Sequence, residues 1–133
     1  MPEQNQRNLA LRVVTRPNDT NHYGTIFGGV ILAYIDQAGY VEARRHGAFT
    51  WVTASIERVD FDAPVGVGDV VSFYTRTIRV GRTSLTIEVE VETDRVESGR
   101  TVRVTSATMT LVALDEHFRP TPIAAGHDGD SKP

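Results

Sequence analysis

The sequence contains no cysteine and one lysine, Lys132, among its 133 residues. Without cysteine there can be no disulfide framework, no cysteine-based zinc site and no cysteine nucleophile. The formal net charge of −3 excludes nonspecific nucleic-acid binding by bulk positive charge, because such binding depends on many basic side chains neutralising phosphates. With 11 glycines and 6 prolines, the composition is also not that of a collagen-like or mucin-like chain.

Long apolar runs are also missing. The densest apolar stretch, Val30 to Ile35, is far shorter than the ~20 residues that a membrane-spanning helix needs. The first residues lack the basic and then apolar pattern of a secretory signal. We therefore expect a cytoplasmic protein without a membrane partner.

The composition, 40% apolar and 23% charged residues, is typical of one globular domain of this length. We place this domain at residues 1–123 and a flexible tail at 124–133. The tail contains His127, Asp128 and Asp130, but a mobile segment holds no fixed coordination geometry, so we expect no metal site.

One helix and five strands are predicted along the chain. Ile31, Tyr34, Ile35 and Ala38 recur at helical spacing, which predicts a helix over about 28–46 with Gly47 as its C-cap. Alternating or β-branched segments predict strands at 9–15, 51–61, 70–80, 85–92 and 102–114. Short connections favour antiparallel pairing of consecutive strands. The expected fold class is α+β, one long helix wrapped by a curved antiparallel sheet of about five strands.

A carboxylate interrupts the apolar face of the predicted helix. On a helical wheel, Asp36 lies only ~40° beyond Leu32, at the edge of the apolar arc. A carboxylate that is partly desolvated there needs hydrogen-bond donors or a chemical purpose. An ordinary exposed aspartate on the helix surface remains the alternative.

The same helix begins with two glycines, Gly28 and Gly29. The first amides of a helix have no intrahelical acceptor and lie at its positive end, so they can bind an anion or stabilise an oxyanion. Glycines also open helices for purely geometric reasons. Asp36 lies roughly 10–12 Å along the axis from the helix start, and the two features together indicate an oxyanion hole with a base or nucleophile.

Four motifs in order carry a family resemblance. They are Asp19-Thr20-Asn21 with Gly24 and Ile26-Phe27-Gly28-Gly29; Ile35-Asp36-Gln37-Ala38-Gly39; Phe61-Asp62-Ala63-Pro64-Val65-Gly66-Val67-Gly68-Asp69; and Val80-Gly81-Arg82-Thr83-Ser84. Over roughly residues 9–123, the chain resembles the hotdog-fold acyl-CoA thioesterases, in particular the YciA-type and cytosolic acyl-CoA hydrolase branch.

The resemblance implies hydrolysis of an acyl-CoA thioester to a free acid and coenzyme A, with no cofactor beyond the substrate itself. It implies a homodimer with paired sheets, and further assembly into a trimer of dimers. The catalytic residues of the family fall on Asp36 and Asn21, which would face each other across the dimer interface. The oxyanion donor implied is the amide of Gly28 or Gly29.

The turn 81–84 matches a segment that lies near coenzyme A in relatives. The resemblance thus implies substrate contacts by Gly81, Arg82, Thr83 and Ser84. Other branches have histidine at the position of Phe27, so we expect contact there without an imidazole. Because arginine suits phosphate, Arg82 is the first candidate for the coenzyme A phosphates, followed by Arg58, Arg76 and Arg79.

Two other functions fit the resemblance less well. A hotdog dehydratase or hydratase requires a histidine base, and His22 is the histidine nearest to the expected site. A non-catalytic acyl-CoA-binding protein would need neither Asn21 nor Asp36.

Overall fold

The computed structural model describes residues 6–124. Residues 1–5 and 125–133 lie outside the described residues. The domain boundaries 1–123 and 124–133 therefore stay a prediction, as does the expectation that the tail with His127 holds no metal. The elements are β1 (Asn8–Val14), α1 (Gly28–Ala43), β2 (Thr50–Phe61), β3 (Val70–Val80), β4 (Ser84–Asp94) and β5 (Thr101–Leu114), with 3-10 turns at Pro17–Asp19 and Arg44–His46.

The five strands form one antiparallel sheet in the order β1-β3-β4-β5-β2. The expected fold class, one long helix with a five-stranded antiparallel sheet, is confirmed. The expectation that all consecutive strands pair is wrong for β2 and β3. Residues 62–69 form a loop that connects β2, at one edge of the sheet, to β3. Within it, Gly66 N–H donates to the Asp69 carboxylate at 2.9 Å.

The helix lies against the apolar face of the sheet. Its residues Ile31, Ile35 and Ala38 are buried, as the helical spacing predicted. Residues of β4 alternate strictly between buried and partly exposed, as is typical of a strand with one face in the core. The helix lies close to the sheet at Gly39, where a Cβ atom would lie 2.5 Å from the Met109 sulfur.

Glu42, near the end of α1, is a charged residue of the core with only 4% of its surface exposed. Its carboxylate accepts hydrogen bonds from Asn8 Nδ2 (3.1 Å), Thr75 Oγ1 (2.9 Å) and Thr77 Oγ1 (2.7 Å). Arg45 Nε lies 3.4 Å from it. These contacts connect α1 to β1 and β3 and compensate the burial of the charge.

Strand β2 is an edge of the sheet. One of its sides pairs with β5, and the register shifts between Thr53 and Ser55 and between Glu57 and Asp60. Its other side pairs with no strand of residues 6–124, and Val52 and Phe61 on it are 40% and 49% exposed. An edge with unpaired backbone groups and exposed apolar side chains is suited to pairing with another chain.

Candidate active site

The helix α1 begins with unbonded amides, as the sequence predicted. Phe27 is the N-cap, and its carbonyl oxygen accepts hydrogen bonds from Val30 N (3.0 Å) and Ile31 N (3.4 Å). The amides of Gly28 and Gly29 precede these donors and have no acceptor within residues 6–124. A Cβ atom at Gly29 would meet nothing within 4 Å, so a substrate oxygen has room to approach.

The loop before the helix is organised by Asn21. Its Oδ1 atom accepts hydrogen bonds from Tyr23 N (2.8 Å) and Thr25 N (3.2 Å), and its Nδ2 donates to Thr25 Oγ1 (3.0 Å). Gly24 completes the turn with a positive φ of 86°. Asn21 therefore shapes the loop, and the second Nδ2 hydrogen remains for a substrate or water.

The loop before the helix is connected to the rest of the domain through Gly66, which is in turn hydrogen-bonded to the buried Asp69. Thr25 bridges to Gly66, and Asp69 accepts hydrogen bonds from Val96 N (3.0 Å) and Gly66 N (2.9 Å). Burial alone would raise the pKa of Asp69, but these hydrogen bonds and the nearby Arg95 outweigh it and hold the pKa below its ordinary value.

Asp36 lies on the exposed side of α1 that faces β2. Thr53 Oγ1 donates a hydrogen bond to Asp36 Oδ1 at 2.5 Å, and Oδ2 has no hydrogen-bond partner among the described residues. Within one chain the carboxylate is exposed rather than desolvated by the sheet. A groove connects it to the start of the helix, lined by Gly29, Leu32, Ala33, Asp36, Thr53 and Ile56.

Thr53 is a site residue that the sequence analysis missed. It stands among the β-branched residues of β2 and has no motif of its own. Its role depends on the packing of β2 beside α1, which brings its hydroxyl to a residue 17 positions earlier in the chain.

Asn21 and Asp36 share no hydrogen bond within the described chain. Gly29 and Asp36 are seven residues apart, which is about 10 Å along the helix axis. A carbonyl oxygen sits about 3 Å from its amide donors, and a reacting group about 3–3.5 Å from the carbonyl carbon. A carbonyl group that contacts both groups of one chain would have to lie lengthwise along the helix between them.

The turn 81–84 is held rigidly at one end of the sheet. Gly81 N donates to Ser84 O (2.7 Å), Ala113 N to Thr83 O (2.9 Å) and Ile123 N to Arg82 O (2.9 Å). The Arg82 side chain is exposed and has no ion-pair partner among the described residues.

Strand register relates this turn to Asp36. Thr53 pairs with Leu111, and Leu111 with Leu85, so Thr53 and Leu85 are about 10 Å apart at the usual strand spacing. Arg82 precedes Leu85 by three residues. The turn 81–84 and the Asp36–Thr53 pair thus occupy the same end of the sheet.

The other residues that the sequence suggested as substrate contacts lie at different distances from Asp36 and the turn 81–84. Arg76 is paired with Glu88 at 2.5 Å and is not free for phosphate, whereas Arg79 near Arg82 is exposed. Arg58 lies in the register shift of β2 between Glu57 and Asp60 and has a positive φ of 57°. It follows Thr53 by five residues, which is about 16 Å along the strand. Phe27 is 51% exposed beside the helix start.

No group of three His, Asp or Glu side chains within residues 6–124 could hold a metal ion. No helix there is long and apolar enough to cross a membrane.

The fold and the site define a class of protein. A carboxylate oriented by a hydroxyl, together with unbonded amides at a helix start, is an arrangement for reaction at an acyl carbonyl. The sequence model of the thioesterase superfamily, a protein family, matches residues 23–100. The chain belongs to this family.

Individual relatives agree with this assignment. An uncharacterised acyl-CoA thioester hydrolase of Zymomonas mobilis is 41% identical over 111 residues, which cover 84% of this chain and 74% of the relative. The acyl-CoA thioester hydrolase YciA of Salmonella typhimurium is 37% identical over 121 residues, or 89% and 91% of the two chains. A hexameric hotdog fold thioesterase of Campylobacter jejuni has a TM-score of 0.85 and 39% identity, covering 92% and 95%.

Proposed function

We infer that this chain is an acyl-CoA thioester hydrolase, which cleaves an acyl-CoA into a free acid and coenzyme A. The observation that carries this conclusion is the Asp36 carboxylate, oriented by Thr53, on a helix that begins with unbonded amides. Membership of the thioesterase superfamily and the named acyl-CoA hydrolases among its relatives support the same reaction.

In the proposed mechanism, the amides of Gly28 and Gly29 stabilise the oxyanion that forms from the thioester carbonyl. Asp36 takes a proton from water as the water oxygen attacks the carbonyl carbon. Alternatively, Asp36 attacks the carbon directly, and water then hydrolyses the anhydride. In both routes the C–S bond breaks, the thiolate leaves and is protonated, and the acyl group ends as a carboxylic acid. Water is the co-substrate, so we expect no cofactor.

The site is shared between two chains in this proposal. Asn21 and Asp36 share no hydrogen bond within the described chain, and the edge of β2 beside Asp36 is unpaired among residues 6–124. A two-fold homodimer that pairs the free edges of β2 would bring the Asp36 of one protomer to the Asn21 loop and the helix start of the other. We propose further assembly into a trimer of dimers, by analogy with the hexameric Campylobacter jejuni relative.

The coenzyme A phosphates bind at the turn 81–84 in this proposal, with Arg82 as the main contact and Thr83 and Ser84 as hydroxyl donors. Replacing Arg82 by alanine removes a charge-assisted hydrogen bond, which is worth about tenfold in affinity. We expect KM for acyl-CoA to rise about tenfold with kcat little changed. Arg103→Ala is the control, because Arg103 is exposed on β5 and lies 3.9 Å from Glu90. An unchanged KM in Arg82→Ala would refute this contact.

The test of the function itself is a thiol-release assay over short-chain, medium-chain, long-chain and aromatic acyl-CoAs. We expect release of coenzyme A and the free acid from at least one class. Tight acyl-CoA binding without thiol release would instead establish a non-catalytic binding protein. Hydration of an enoyl-CoA without thiol release would establish a hydratase.

A further inference from the structure

A cavity of about 470 Å³ opens beside Asp36, between α1 and β2. Its volume lies within the range of small-molecule sites. Asp36, Gln37 and Thr53 give it a polar end, whereas Tyr40, Trp51 and Leu111 are among the apolar residues that line the remainder. Its apolar part thus begins next to the carboxylate that the proposed mechanism uses.

Two of the apolar lining residues are fixed. Trp51 is 7% exposed, its indole N–H donates to Gly47 O at 3.0 Å, and its ring meets Phe49 edge to face at 5.4 Å. Leu111 is 1% exposed and belongs to the core. These two side chains cannot move without disturbing the packing of the domain.

Tyr40 is held differently. It follows Asp36 by one helical turn, so the two side chains project from the same face of α1. The ring is 42% exposed, its hydroxyl accepts a hydrogen bond from Arg44 Nη1 at 3.0 Å, and the Arg44 guanidinium lies 5.9 Å from the ring centroid. Its ring is therefore less enclosed than Trp51 or Leu111, and its hydroxyl is held by one surface arginine.

We propose that this cavity receives the acyl chain of the substrate and that Tyr40 limits the length of chain it accepts. This inference rests on the proposed function, since Asp36 marks the position of the reacting carbonyl. The part of coenzyme A next to the thioester is polar, whereas an acyl chain has the apolar character of the walls beyond Asp36.

A second apolar cavity is the competing location. It has a volume of about 320 Å³, lies beside Gly28, and is lined by residues that include Phe61, Ile31 and Val65. Phe61 forms its exposed wall, with its ring 3.4 Å from the position of a Gly28 Cβ. A chain bound there would be sensitive to Phe61 and not to Tyr40.

The test compares wild type, Tyr40→Ala, Tyr40→Phe and Phe61→Ala across butyryl-, hexanoyl-, octanoyl-, decanoyl-, lauroyl- and palmitoyl-CoA. Opening the end of an apolar pocket changes discrimination by at least about tenfold. For Tyr40→Ala, we expect kcat/KM for the longest chains to rise about tenfold relative to the shortest. Tyr40→Phe keeps the ring and loses the bond to Arg44, so we expect a smaller shift in the same direction.

An unchanged chain-length profile in Tyr40→Ala would overturn the proposal, as would a shift in Phe61→Ala alone. If a side chain of the second protomer fills the cavity, Tyr40→Ala instead weakens the oligomer, measured by sedimentation, and leaves the profile unchanged. Failure of the proposed function is distinguishable, because wild type would then release no thiol from any of the six substrates.

Discussion

Replacing Asp36 by asparagine is expected to lower kcat for acyl-CoA hydrolysis by about 10³-fold or more, the order of magnitude of general-base or nucleophilic catalysis. The asparagine amide can neither accept a proton from water nor attack the thioester. Its Oδ1 atom can still accept the hydrogen bond from Thr53, and the site is exposed, so the variant should fold normally. Steady-state thiol release together with a thermal unfolding midpoint measures both expectations.

The chain offers a matched control for this variant. Asp94 is a partly exposed aspartate that also accepts a hydrogen bond from a threonine, Thr101 Oγ1 at 2.7 Å, but it lies on β4 and pairs with Arg12. Asp94→Asn should retain kcat close to that of wild type, because Asp94 lies outside the proposed site. Folded Asp36→Asn protein with the activity of Asp94→Asn would remove Asp36 from the mechanism.

The largest effect on stability is expected at Glu42. Glu42→Ala leaves three donors of the buried cluster, Asn8, Thr75 and Thr77, without their acceptor and opens a cavity. Leaving the donors of a buried hydrogen-bond cluster without their acceptor costs about 1–3 kcal/mol. We expect the free energy of unfolding in urea to fall by that amount. A loss below about 0.5 kcal/mol, the usual effect of a surface substitution, would show that the cluster does not hold α1 to the sheet.

Glu42 also predicts a pH dependence. Burial alone would raise the pKa of Glu42, but the hydrogen bonds from Thr77, Asn8 and Thr75 and the charge of Arg45 outweigh it and lower the pKa. A lowered pKa in the folded state means that the unfolded chain binds the proton at higher pH. The stabilisation is therefore complete above the unfolded value of about 4.3 and is lost as pH falls through the folded value.

The measurement is the difference in unfolding free energy between wild type and Glu42→Gln as a function of pH. Asp69 also has a lowered pKa, and its contribution cancels in this difference. We expect the advantage of wild type to shrink below about pH 4.3. Parallel pH curves for the two proteins would contradict the assignment.

The sequence predicted most of the secondary structure because its local signals are strong. The alternation from Leu85 to Val91 corresponds to β4, and Gly47 closes the 3-10 turn after α1 with a φ of 139°. The order of the strands in the sheet was harder to predict, because local sequence signals do not reveal that residues 62–69 connect β2, at one edge of the sheet, to β3.

The residues of the candidate site also differ in whether local sequence signals predict them. The amides of Gly28 and Gly29 follow from the helix start and were predictable. Thr53 was not, since its bond to Asp36 depends on how β2 packs beside α1. Glu42 lies on the same helix face as Ile31 and Ile35, so periodicity indicates burial, but its partners on β1 and β3 require the strand register.

The most direct test of the shared site is complementation between two variants of strongly reduced activity, Asp36→Asn and Asn21→Ala. Their subunits are mixed either by exchange between the purified proteins or by co-expression with different tags. Each mixed dimer would contain one site with both substitutions and one with neither. The account predicts that an equal mixture recovers about a quarter of wild-type activity, since half of the dimers are mixed and half of their sites are intact. Activity no higher than the mean of the two parent variants would contradict a site built from Asp36 of one protomer and Asn21 of the other.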